Sequence, residues 1–197
     1  MLVCDRMTKN PATIGPQEML ATAQEKMTTG HFHRLPVVED GALIGILTDR
    51  DVIRHVGSEE RTKVRAIMTE TPLTISPDMP IEEATQLMLK HQISGLPVTD
   101  NNKLVGILTT SDILRTFLEL IGSSDDSHRI DVLTKEDGSL AEAAHLIEAA
   151  GGSVLSVGTY SDPAAPQRIF FVRVRGIDPQ GASSALRTQG YTVIAVH

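Results

Sequence analysis

Apolar positions along this chain recur with two different periods. Over residues 17–29, Leu20, Ala23 and Met27 fall three to four residues apart, and over 80–91 so do Ile81, Ala84 and Met88. That spacing builds one buried face of a helix. Pro80 suits a first helical turn, where its missing N–H goes unneeded. Each helix is followed by two short apolar runs, 35–38 then 43–47 and 96–99 then 104–108. Between the runs stand Glu39-Asp40-Gly41-Ala42 and Asp100-Asn101-Asn102-Lys103. Gly and Asn accept the positive φ of tight turns, so each pair of runs predicts a β-hairpin. A short extended segment, Thr13-Ile14 or Thr74-Ile75, precedes each helix, and a second helix starts after Thr48 and Thr109. Each stretch reads β-α-β-β-α.

The two stretches are copies of one another. Shifted by 61 residues, positions 3–54 match positions 64–115 at 19 of 52 places without a gap. Met7-Thr8 falls on Met68-Thr69, and Leu35-Pro36-Val37 on Leu96-Pro97-Val98. Gly45-Ile46-Leu47-Thr48 falls on Gly106-Ile107-Leu108-Thr109, and Asp51 on Asp112. One unit of this kind leaves an apolar sheet face open, whereas two close it against each other as a pseudo-twofold pair. The repeats are assigned to residues 1–60 and 61–121.

The pattern changes after residues 122–128, which are small, polar and linker-like. A strand is predicted over 129–133, then a helix with Leu140, Ala143, Ala144 and Ile147 on its apolar face, ended by Gly151-Gly152. Strands over 153–160 and 168–175, joined by a loop at Asp162-Pro163, lead to a helix over 178–189 and a last strand over 191–196. Residues 129–197 therefore read as a ferredoxin-like β-α-β-β-α-β domain. The fold class is α+β.

Composition narrows the function classes. Of 197 residues, 41% are hydrophobic and 3% aromatic, with no Trp, so the cores are aliphatic and base-stacking platforms are scarce. The formal charge is −7 and no basic stripe is evident, which argues against nucleic-acid binding and requires local donors for any anionic ligand. The lone Cys4 forms neither an internal disulfide nor a thiolate metal site. No apolar run is long enough for a membrane span and no targeting segment is apparent, so a cytoplasmic, membrane-free protein is expected. No metalloprotease, P-loop or G-x-S-x-G signature is present, and the chain is expected not to be an enzyme.

The doubled Leu-Pro-Val and Gly-Ile-Leu-Thr-x-x-Asp, with Met-Thr and Thr-Ile upstream, resemble a pair of CBS domains from residue 1 to about 121. The resemblance implies a regulatory protein that binds adenosine-containing ligands, with AMP, ADP or ATP first and S-adenosylmethionine also in view, and needs no cofactor. It implies two clefts. Thr13, Ile14, Pro36 and Val37 would join Thr109, Ser111 and Asp112 in one. Thr74, Ile75, Pro97 and Val98 would join Thr48, Arg50 and Asp51 in the other. In this scheme Asp51 or Asp112 accepts the ribose hydroxyls. Thr48 or Thr109 meets phosphate at a helix start. Ile14, Val37, Ile75 and Val98 sandwich adenine. Thr-x-x-Asp is equally a helix-capping pattern, and both readings stand at this point. The repeats differ at Arg34 against Gly95 and at Arg50 against Ser111, so the two clefts are not expected to be equivalent. His31-x-His33 reads as a phosphate contact or solvated loop in preference to a metal pair, since no carboxylate or thiolate partner is evident.

The C-terminal third is similar to ACT domains through Arg-Ile-x-Val, Asp-Gly-Ser-Leu, Gly-Gly-Ser-Val-Leu-Ser-Val and Gly-Tyr-Thr-Val. The combined layout resembles the bacterial acetoin-utilisation accessory family of CBS–ACT proteins. ACT resemblance implies pairing through sheets and an amino-acid site near Asp137, Gly138, Ser139 and Leu140, although Asp-Gly replaces the usual Pro-Gly. An amino-acid-responsive regulator, and a partner-binding scaffold in which the repeats serve for dimerisation, are the alternative functions. A homodimer is expected under each.

Overall fold

A computed structural model describes residues 1–133, 139–161 and 168–197. They divide into two compact units, Met1–Leu114 and Arg115–His197.

The first unit begins with α1 (Val3–Arg6) and the two-residue strand β1 (Thr8–Lys9). The first repeat follows with α2 (Leu20–Gly30), β2 (Arg34–Glu39), β3 (Ala42–Thr48) and α3 (Asp49–Ile53). A 3₁₀ turn at Val64–Ala66 and β4 (Thr69–Glu70) then lead into α4 (Ile81–His91), β5 (Gly95–Asp100), β6 (Lys103–Thr109) and α5 (Thr110–Leu120), whose residues from Arg115 onward belong to the second unit. The hairpin turns are as the sequence predicts: Asp40 and Gly41 have φ of 51° and 82°, Asn101 and Asn102 of 47° and 65°. Two consecutive positive φ values match the right-handed twist of the flanking strands. Helix α2 starts at Leu20, three residues later than its apolar period suggests, and Pro80 is the N-cap of α4 instead of lying in its first turn. Both helices end on a left-handed residue, His31 and Gln92, each with φ 53°.

The two repeats exchange their leading segments. Strand β1 pairs with β6 of the second repeat, Thr8 opposite Ile107, and β4 pairs with β3 of the first, Thr69 opposite Ile46. Val3 lies in the core of the second repeat with Ile81, Ala84, Met88 and Leu96. Its counterpart Val64 lies in the core of the first with Leu20, Ala23, Met27 and Leu35. Glycine makes this close packing possible. A Cβ on Gly45 would stand 2.7 Å from Met68 Sδ, and one on Gly106 would stand 2.4 Å from Met7 Sδ. The repeated Met-Thr and Gly-Ile-Leu-Thr motifs are thus two halves of one contact. The two sets of strands join into one sheet where Ala42 of β3 meets Lys103 of β6.

The second unit holds β7 (Ser127–Leu133), α6 (Leu140–Ala149), β8 (Ser153–Ser161), β9 (Arg168–Arg175), α7 (Pro179–Thr188) and β10 (Thr192–Val196). The strand order is β10-β7-β9-β8, antiparallel throughout. Ile130, Val132, Phe170, Val172 and Val174 face Ala143, Ile147, Ala182 and Leu186 of the helices in one aliphatic core. Tyr191 closes that core edge-on to Phe170, with ring centroids 6.1 Å apart. Strand alternation turns Arg129 and Asp131 to the other face. There Arg129 Nε donates to Asp131 Oδ1 at 2.7 Å, and its guanidinium lies over the rings of Tyr160 and Phe171. The Tyr160 hydroxyl donates to Asp131 Oδ2 at 3.0 Å, so a carboxylate only 5% exposed keeps charged and neutral donors. Among the described residues no helix is long and apolar enough to cross a membrane.

Candidate functional site

In the first unit a cleft of about 770 Å³ opens between the two repeats. The first repeat supplies His33 and Arg34 at the start of β2, Ile46 and Thr48 from β3, and Asp49 and Arg50 from α3. Thr69, Pro72 and Leu73 come from the exchanged leader, and residues 91–95 and Pro97 from the second repeat. The two hairpins bring these groups together. Arg34 stands opposite Thr48 in the β2–β3 register, and the Asp49 N–H donates to the His33 carbonyl at 2.9 Å. That bond fastens the start of α3 to the start of β2.

The walls differ in chemistry. Ile46, Pro72, Leu73, Ile93 and Pro97 are apolar. Arg34, Arg50, His33 and His91 carry the cationic or protonatable groups, with Asp49 among them. His33 Nδ1 lies 2.8 Å from Asp49 Oδ2, and Arg34 hydrogen-bonds the Ser94 hydroxyl through Nη2. Burial pulls the Arg34 guanidinium below its ordinary range, and the Asp49 charge offsets part of that. Arginine stays cationic under such a shift. Helix α3 runs only five residues, so the side-chain charges and not a helix dipole set the field here. Apolar walls beside two guanidinium groups can take a flat heterocycle carrying an anionic tail.

Of the residues singled out from sequence, the cleft gathers His33, Arg34, Thr48, Arg50, Gly95 and Pro97. Gly95 is there for space: a Cβ on it would stand 2.0 Å from Arg34 Nη1. None of the four residues of the expected adenine sandwich is among the side chains lining this cleft: Ile14 and Val37 lie in the first core and Ile75 and Val98 in the second, all 0–3% exposed. Asp51 and Asp112 act as helix caps. Thr48 N–H and Oγ1 donate to Asp51 Oδ2 at 3.0 and 2.6 Å, and the Thr109 groups donate to Asp112 Oδ2 at 2.8 and 2.6 Å. Thr13 presents its carbonyl to Lys26 Nζ at 3.2 Å, Pro36 is buried, and Thr74 and Ser111 are exposed away from this cleft. Asp49, Ile46, Pro72, Leu73 and Ile93 line the cleft without having been picked out. Their one sequence signal is adjacency to Arg34, Thr48 and Thr74, or to their counterparts, in the aligned repeats.

In the second unit, Ser139 Oγ accepts from the Glu142 N–H at 3.0 Å as the cap of α6, and Leu140 packs against the core. Asp137 and Gly138 lie outside the described residues. Among the described residues no group of three or more His, Cys, Asp or Glu is placed to hold a metal ion.

Comparison with known proteins bears on this geometry. The family model described as "CBS domain" matches residues 3–58 and 64–119. The CBS domain-containing protein YhcV of Bacillus subtilis is 39% identical over 114 residues, covering 56% of this chain and 81% of that protein. The homoserine O-acetyltransferase of Methanococcoides burtonii is 42% identical over 115 residues, but these are 57% of this chain and only 23% of that enzyme. Among solved structures, the CBS domain pair of protein MJ0100, in complex with 5′-methylthioadenosine and S-adenosyl-L-methionine, is 32% identical with a TM-score of 0.55, covering 59% of this chain and 95% of that one. CBSX2 in complex with AMP is 29% identical with a TM-score of 0.55, over 59% and 96%. A structure described as an acetoin utilization protein (AcuB) from Vibrio cholerae is 30% identical with a TM-score of 0.58, over 64% and 98%.

Proposed function

Because the chain belongs to the CBS-domain family, we propose that it is a regulatory protein whose paired repeats bind an adenosine-containing ligand, AMP, ADP or ATP ahead of S-adenosylmethionine. The observation that carries this reading is the cleft that sets Arg34 and Arg50 beside the apolar wall of Ile46, Pro72, Leu73, Ile93 and Pro97. Adenine lies on the wall and phosphate meets the guanidinium groups. The ligands in MJ0100 and CBSX2 support the same class of molecule. Asp51 is the ribose acceptor by family resemblance, a duty it would share with capping Thr48. Ligand binding acts as a signal only if it favours one arrangement of the chain over another.

The strand order β10-β7-β9-β8 supports a ferredoxin-like, ACT-like second unit. Phe117, Leu118 and Leu120 on α5 are 49–58% exposed, and exposed apolar side chains of this kind support a homodimer.

The test is a thermal-shift series with AMP, ADP, ATP and S-adenosylmethionine. A ligand at a hundredfold excess over its Kd adds about 2.7 kcal/mol to stability and raises the midpoint. A midpoint unmoved by all four removes the nucleotide-sensor reading.

A further inference from the structure

Arg34 and Gly95 are counterparts under the 61-residue shift, yet they touch each other. Ala42 and Lys103 are counterparts too, and they pair directly across β3 and β6. Equivalent residues in contact mark the axis that relates the repeats. That axis therefore runs beside Arg34, and the binding cleft on one side of it has a symmetry-related position on the other.

We propose that the chain holds one phosphorylated adenosine ligand, in the cleft lined by Arg34 and Arg50, and that the symmetry-related position does not hold a second. This rests on the nucleotide reading above and adds a count and a location to it.

The charges break the symmetry. Arg34 leans to one side, bonded to Ser94 Oγ and sharing the field of Asp49. Arg50 and His91, which line the occupied cleft, correspond to Ser111 and Gly30. Asp49 corresponds to Thr110, and Leu73 in the apolar wall to Ala12. Gly30 is also covered: a Cβ there would stand 1.9 Å from Cε1 of Phe32, the counterpart of Ile93. The symmetry-related position thus has Ser111 and Gly30 where the cleft has Arg50 and His91, and Thr110 where it has the acidic Asp49. His31 and His33 stand there in place of Gln92 and Ser94, so what it lacks is a guanidinium of its own, with Arg34 bonded toward Ser94 and the Phe32 ring set over Gly30. A chain of net charge −7 retains a polyanion only where local cations overcome the general field.

The experiment is isothermal titration of the full chain with ATP, with adenosine as the uncharged probe and tripolyphosphate as the charge-only probe. It is repeated on Arg50→Ser and on Arg34→Gly/Arg50→Ser, which give the cleft the residues of its counterpart. Arg50 is exposed, so Arg50→Ser leaves folding undisturbed, and the unliganded melting midpoint checks the double variant. The expected result is one ATP per chain, with the ATP-to-adenosine affinity ratio falling about tenfold to a hundredfold per guanidinium removed. Two ATP per chain, or an unchanged ratio in the double variant, overturns the proposal. Tripolyphosphate binding once per chain while neither ATP nor adenosine gains from the base upholds the single anion site and overturns the nucleotide reading instead. No binding of any probe overturns both.

Discussion

A single hydroxyl ties helix α6 of the C-terminal unit to the residue that leads into β10. Tyr191 Oη lies 2.6 Å from Glu142 Oε2 and 3.1 Å from the Ser139 carbonyl. Burial, and then the Glu142 carboxylate, push its phenol up to about 12. The folded state therefore favours the protonated phenol more than the unfolded chain does. That contribution is fully present below the ordinary tyrosine value near 10 and is lost as pH rises through about 12. Chemical denaturation across this range should show the second unit weakening between those limits. Tyr191→Phe should lower stability by about 1 kcal/mol at neutral pH and flatten the alkaline decline; an unchanged decline would refute the assignment. Residues in the repeats solve one local problem in two ways. Glu18 accepts from the Gly15 N–H at 2.7 Å and pairs with Lys26 Nζ at 3.2 Å, which together outweigh burial and hold its carboxyl below the usual range. Their counterparts Met79 and Leu87 pack on the second core as hydrocarbon.

At the scale of elements, the two-residue strands β1 and β4 depend on glycine in the strands that receive them. Gly45→Ala and Gly106→Ala each insert a methyl group against a methionine sulfur, with a backbone carbonyl 3.0 or 3.1 Å away. Each should cost about 1–3 kcal/mol by overpacking, measured by urea denaturation. Equal stability in either variant would show that the Met-Thr segment is free to lift away. The hairpins and helices were legible in the sequence because turn chemistry and helical period are local: Asp40-Gly41 and Asn101-Asn102 announce their φ values. Strands β1 and β4 were not, since two residues carry no period and their partners lie in the other copy. Of the candidate cleft, the polar residues His33, Arg34, Thr48 and Arg50 were named from sequence and most of the apolar wall was not. Comparing the copies exposes Arg34 against Gly95, a contrast of charge and size. Ile14, Val37, Ile75 and Val98 read the same from sequence whether an apolar side chain faces a ligand or a core, and in the structure all four lie in the two cores.

For the whole molecule, the exchange of leading segments means that neither sequence repeat is a folding unit by itself. The first core needs Val64 and Met68 from the second copy, and the second core needs Val3 from the first. A fragment of residues 1–60 keeps the β2–β3 hairpin but lacks the core side chains Val64 and Met68 and strand β4, and should remain unfolded by circular dichroism. A cooperatively folded fragment would contradict this interdependence. The same exchange carries Thr69, Pro72 and Leu73 of the second copy into a cleft whose guanidinium groups belong to the first.

The aromatic residues are unevenly shared along the chain. Both tyrosines belong to the second unit, Tyr191 sealed in its core and Tyr160 beneath the Arg129 guanidinium, and there is no tryptophan. Tyrosine emission from this protein is consequently an optical channel for the C-terminal unit alone. The repeats, with their ligand cleft, are dark in that channel. Once a nucleotide's own ultraviolet absorption is corrected for, a cleft-bound nucleotide that brightens or quenches the tyrosines has an effect that reaches the second unit, and the unlabelled protein reports it.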